Sequence, residues 1–84
     1  MSEEEVGAVF KYFAKPMVAA IKATGSFKIG DKLHFKGATT DFTMTIKSMQ
    51  IEKESVESVT AGQNVGIKVP ERVRPNDIIY RVLE

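Results

Sequence analysis

The chain has 84 residues, room for one domain, and at that size it buries only roughly 60–65% of the surface its unfolded form exposes, which argues against a deep catalytic cleft between subdomains. Cysteine is absent, so disulfides, thiolate metal sites and a cysteine nucleophile are excluded. The formal net charge is +1, but Glu3, Glu4 and Glu5 mask a body from Val6 to Glu84 with twelve basic and eight acidic residues, a balance of +4.

Val and Ile together number 16 while Leu numbers 2, and β-branched side chains suit a pleated surface better than a helix. Residues 1–5 read as an acidic N-terminal tail and 6–84 as a single domain. A secretory signal would be basic where this chain is acidic, and no apolar run approaches the roughly 18 residues that span a bilayer. The expectation is a cytoplasmic protein with no membrane contact. Val6, Val9, Phe10 and Phe13 then fall at i, i+3, i+4 and i+7, and Ser2 with Glu5 resembles a capping box, so an amphipathic helix over 3–14 competes evenly with a strand.

Breaker signals recur at Lys15-Pro16, Thr24-Gly25-Ser26, Ile29-Gly30-Asp31, 37–41, 61–64 and 74–77, the close turn spacing of a small barrel or sandwich. Gly25 and Gly30 open like a phosphate-binding loop, but that loop next needs Lys and then Ser or Thr, and Asp31 stands there instead. In "DKLHFKG" Leu33 and Phe35 point inward, His34 and Lys36 outward. In "DFTMTIK" Phe42, Met44 and Ile46 share the inner face and Thr43, Thr45 and Lys47 the outer. Met49 and Ile51 resume out of phase, which predicts a bulge or bend near Ser48.

"EKESVESV" is a polar connecting strand or loop. In "TAGQNVGIKV" Gly62 fits a turn with positive φ, and Val65, Ile67 and Val69 share a face. Gly66 inside that strand is expected to spare space for a neighbouring strand. "DIIYRVL" places Ile78, Tyr80 and Val82 on one face.

No catalytic constellation emerges. His34 is the only histidine, so there is no histidine metal cluster, and Asp31, Asp41 and Asp77 sit at turns where aspartate caps backbone amides. The readings are therefore no enzyme, no metal and no cofactor. What remains is a basic, hydroxyl-bearing outer face: His34, Lys36, Thr43, Thr45, Lys47, Lys68, Arg72, Arg74 and Arg81. Such a face can neutralise phosphates and hydrogen-bond ribose, although the stacking rings that single-stranded RNA favours are scarce. For the lysine-rich stretch Lys11, Lys15, Lys22, Lys28, Lys32 and Lys36, a solvated surface, or lysines that discourage edge-strand pairing, is the plainer reading.

The segments Ile29-Gly30-Asp31, Gly37, Thr43 to Met49, and above all Ala61-Gly62-Gln63-Asn64-Val65-Gly66 resemble the second domain of translational GTPases such as elongation factor Tu. That resemblance implies an all-β fold, a small closed six- to seven-stranded antiparallel barrel of the translation-protein type, and resolves the N-terminal region toward strands. "GATTDFTMTIKSMQIE", with the spacing on to Arg74-Pro75-Asn76-Asp77, is also similar to the barrel appended to the C-terminus of collagenase-like (U32) peptidases, which is not their catalytic part. The guanine-nucleotide motifs are missing, so no GTP is expected.

Two functions compete. The first is a non-enzymatic module binding RNA (tRNA or rRNA) or a ribonucleoprotein through the basic face. The second is a protein–protein interaction adaptor for a peptidase-like or RNA-modifying enzyme, in which an exposed strand edge, or the apolar residues near Tyr80 and Leu83, recruits a protein partner.

Overall fold

The computed structural model describes residues 2–83. Met1 and Glu84, the outer ends of the two expected segments, lie outside the described residues. Ten strands follow in chain order: β1 (Ser2–Phe13), β2 (Val18–Ala23), β3 (Phe27–Lys28), β4 (Lys32–Lys36), β5 (Asp41–Thr45), β6 (Met49–Ile51), β7 (Glu54–Val56), β8 (Ser58–Val59), β9 (Asn64–Lys68) and β10 (Ile78–Leu83). Eight form one sheet in the order β5-β4-β10-β1-β2-β9-β6-β7, and β3 pairs β8 in a separate ribbon. Every recorded pairing is antiparallel.

The expected closed barrel is therefore corrected to an open all-β sheet. β5 and β7 are its edges, with no ladder between them. Only residues 46–48 join β5 at one edge to β6 beside the other, so Thr45 and Met49 lie at most about 14 Å apart. The sheet must curl strongly to permit this. It stops short of closure because no ladder joins β5 to β6 or β7, while Ile46 stays bonded on the β4 side, its N–H donating to the Asp31 carbonyl and its carbonyl accepting from Gly30 N–H.

Curling starts in β1. Its ladder to β10 slips between Glu5 and Gly7, and its ladder to β2 slips between Val9 and Lys11. Bulges of this kind bend a strand and increase its twist. They also bring Val6 and Val9, three residues apart, onto the buried side while Phe10 and Phe13 stay exposed. The helix-like spacing of these four residues thus belongs to a bulged strand. Glu3, Glu4 and Glu5, expected in a tail, pair with Val82, Arg81 and Tyr80.

The curled sheet encloses one apolar core that includes Val6, Val9, Ile21, Leu33, Phe35, Ile46, Met49, Ile67 and Ile79. The β3–β8 ribbon contributes Phe27 and Val59, opposite each other and both buried. Most strand phases match the alternation in the sequence: Leu33 and Phe35 in β4, Val65 and Ile67 in β9. β10 is out of phase with the expectation. Ile79 is its buried residue, while Ile78, Tyr80 and Val82 are half-buried. The predicted bend near Ser48 is the gap between β5 and β6.

Gly62 has φ +95°, as a turn position requires. Gly66 sits in an unbroken stretch of ladder between Ala20 and Gln50. A Cβ there would meet the Val18 Cγ1 methyl of neighbouring β2 at 3.3 Å and the Gln50 carbonyl oxygen of neighbouring β6 at 3.8 Å. The tighter position is Gly37, where a Cβ would overlap the Asp77 carboxylate. That carboxylate is buried and cannot simply swing away, because its Oδ2 accepts from Arg74 N–H at 2.9 Å. Gly37→Ala should therefore cost about 2 kcal/mol or more through overpacking, and Gly66→Ala less than about 1 kcal/mol. Urea unfolding of both variants checks this ordering, and equal midpoints would contradict it.

Candidate functional site

The nine polar residues singled out in the sequence do not converge on one surface. His34 and Lys36 lie on β4, Thr43 and Thr45 on β5, Lys47 in the crossing between β5 and β6, and Lys68 at the end of β9. Arg72 and Arg74 are exposed in the loop between β9 and β10. Arg81 shares the face of buried Ile79, two residues before it, so it points to the opposite side of the sheet from His34.

Two of the nine are engaged by carboxylates of the chain itself. His34 Nδ1 is 2.6 Å from Glu3 Oε2 and its Nε2 is 2.6 Å from Asp41 Oδ1, with Tyr80 tilted beside the ring. Each carboxylate accepts, so an imidazole satisfies both contacts only when both nitrogens carry protons. The Asp41 bond foremost, with Glu3 adding to it and desolvation opposing, raises the His34 pKa above its usual value of 6.5. With both nitrogens occupied, none is left to accept a proton from a nucleophile. Arg81 lies 3.5 Å from Glu4 and 3.9 Å from Asp31, and its buried Nε has no hydrogen-bond partner among the described residues.

Asp31 and Asp77 do cap backbone amides, of Lys28 and Arg74. Asp41 holds His34 instead. Among the described residues no three His, Asp or Glu side chains are grouped to hold a metal.

Three of the remaining candidates meet at the open edge of the sheet. Thr45, Lys47 and Lys68 line one cavity of about 500 Å³ with Met44, Ser48, Val69 and Pro70. No residue of β4 lines it, which puts it on the unpaired side of β5. The edge itself has a readable polarity. Gly37 N–H donates to Thr40 carbonyl, and Ile46 N–H to Asp31 carbonyl, both in the register that pairs Phe35 with Phe42 and Leu33 with Met44. Bonding alternates along an antiparallel ladder, so even-numbered residues of β5 bond toward β4. The N–H and C=O groups of Asp41, Thr43 and Thr45 therefore face outward, unpaired among the described residues. Sequence patterning marked the threonine side chains, but the feature that matters is their backbone. Edge status was invisible to it, as were the apolar walls Met44, Val69 and Pro70, of which only Pro70 signals a strand end.

Residues 3–79 match the family described as the peptidase family U32 C-terminal domain. A collagenase of Porphyromonas gingivalis is 37% identical over 78 residues, 90% of this chain and 22% of that protein. An uncharacterised protease of Methanocaldococcus jannaschii is 37% identical over 81 residues, 95% of this chain and 20% of that protein. The chain thus spans about a fifth of the length of these curated relatives. The crystal structure of the C-terminal domain of a protein assigned as a U32 peptidase in Geobacillus thermoleovorans superposes with a TM-score of 0.89 at 23% identity, covering 95% of this chain and 93% of that one. The selenomethionine form of that domain gives a TM-score of 0.87 at 24% identity over 90% of this chain.

These matches overturn the translation-factor reading. The chain aligns with peptidase C-terminal domains, so the tRNA-contacting role, and the RNA-binding module built on it, are withdrawn. The charge argument for RNA weakens independently, since His34 and Arg81 face carboxylates.

The His34 clamp makes a pH prediction. A folded-state pKa raised above 6.5 contributes stability that is complete below the unfolded pKa and lost as pH rises through the folded one. The stability difference between the wild-type protein and His34→Gln should therefore be larger at pH 5.5 than at pH 8.5, read from urea midpoints. A difference that is flat or grows with pH contradicts the clamp.

Proposed function

The chain belongs to the C-terminal domain of peptidase family U32, and we propose that it is a protein–protein interaction adaptor, holding an extended segment of a partner protein on its β5 edge in association with a peptidase of this family. It is the non-catalytic part of such peptidases and has no peptidase activity of its own. One observation carries the adaptor reading: among the described residues the outward N–H and C=O groups of Asp41, Thr43 and Thr45 have no partner strand.

An unpaired edge is a template for another strand. Proteins usually blunt such edges with proline, lysine or a bulge. β5 reads Asp-Phe-Thr-Met-Thr and carries none of these. Its side chains are β-compatible, its register with β4 is regular throughout, and its unpaired side opens onto the cavity at Met44, Val69 and Pro70. The opposite edge, β7, has only three residues.

Thr43→Pro tests this cleanly. The Thr43 N–H faces away from β4, so proline removes the docking donor without removing a ladder bond, and proline is tolerated at such edge positions. The purified domain, mixed with a U32 peptidase chain whose matching domain has been deleted, should co-elute on gel filtration and shift the amide resonances of Thr43 and Thr45. Thr43→Pro should unfold within about 1 kcal/mol of wild type and lose the complex. Absence of association, or association that leaves the β5 amides unmoved and survives Thr43→Pro, would sink the proposal.

A further inference from the structure

Resting on the adaptor reading, we infer that the cavity beside β5 selects the docked segment by chemistry: an extended peptide with an apolar side chain on its inner face and a carboxylate close by. The observation is the make-up of the cavity. Its apolar walls are Met44, Val69 and Pro70, and the two cations at its rim are Lys47 and Lys68. Both lysines are exposed, and among the described residues neither has an acidic group within ion-pair distance. Ser48 in the crossing adds a polar residue to the lining.

The placement follows from strand geometry. A strand added to β5 lies about 4.8 Å from it, and its side chains alternate between the two faces of the sheet. Three outward-facing residues of β5, Asp41, Thr43 and Thr45, match a segment of about five residues. Side chains on the face of Thr43 and Thr45 point to solvent. Those on the opposite face, the face of half-buried Met44, point toward the cavity walls. A volume of about 500 Å³ has room for one or two large apolar side chains, within the range of ordinary ligand pockets.

Charge sets the second requirement. At the Asp41 end of the strand the carboxylate is already held by His34 at 2.6 Å. At the Thr45 end the two lysines at the cavity rim offer the uncompensated charge. An acidic group on the peptide therefore belongs at the Thr45 end, and a basic one there is repelled. Backbone pairing supplies affinity common to any strand, and the lysines supply the discrimination.

The test uses fluorescein-labelled nine-residue β-forming peptides, identical except for Glu, Gln or Lys at one position, with a further Glu peptide in which the inner-face Leu is Ser. Binding to the domain is read by anisotropy at about 50 and 200 mM salt, and its location by amide chemical shifts. The Glu peptide should bind about tenfold more tightly than the Gln peptide and more tightly still than the Lys peptide. That preference should shrink at higher salt as charges are screened, and the Leu→Ser change should also loosen binding about tenfold. The double variant Lys47→Glu with Lys68→Glu, both sites exposed and its melting temperature checked against wild type, should reverse the order to favour Lys. If all three peptides shift the Thr43 and Thr45 amides but bind equally, the selection inferred here is wrong while the adaptor edge stands. If none shifts those amides, the edge reading fails and takes this inference with it.

Discussion

The bulges in β1 are the constraint on which the rest of the molecule depends. β1 is the longest strand and lies in mid-sheet, with β10 on one side and β2 on the other. One bulge interrupts each of these two ladders. Bending the middle strand carries both wings of the sheet around one apolar core, and lets three residues span from the β5 edge to β6. A flat eight-stranded sheet could not make that connection, nor cover Phe35, Ile21 and Ile79 on the same side.

Curling without closure leaves the functional surface. In a closed barrel every backbone group in the ladder is consumed and no edge remains. Here no strand pairs with the outer side of β5, and among the described residues the outward groups of Asp41, Thr43 and Thr45 stay unmatched. The open edge, the apolar walls of Met44, Val69 and Pro70, and the two lysines lie together because the crossing at 46–48 and the exit from β9 meet there. The histidine clamp steadies the neighbouring surface by tying β1 to β5 across β10 and β4. It joins Glu3, His34 and Asp41, residues far apart in the chain.

Much of the fold was legible in the sequence wherever alternation was undisturbed. β4, β5 and β9 follow their two-residue patterns, and the turn at Gly62 follows from glycine's tolerance of positive φ. What was not legible has physical causes. The β1 bulges made a strand space its apolar residues like a helix. The β6–β7 turn uses Glu52 and Lys53 at φ +50° and +68°, positions usually filled by Asn or Gly, so it gave no signal. Edge status and barrel closure depend on which strands meet, and no local pattern records that. Of the candidate residues, Thr45, Lys47 and Lys68 line one cavity, and Thr43 lies on the same edge strand as Thr45. Arg81 was misplaced because β10 runs in the opposite phase. The neutralising partners of His34 and Arg81, Glu3 and Glu4, had been read as part of a tail.

The adaptor surface exists only if β5 is an unpaired edge, and amide hydrogen exchange of the free domain followed by NMR measures that directly. Phe42 and Met44, bonded to β4, should exchange slowly, while Asp41, Thr43 and Thr45 should exchange close to the rate of unstructured amides. That alternation along five consecutive residues would establish the open edge. Uniform protection of all five would mean that β5 is paired on both sides, and the adaptor surface proposed here would not exist.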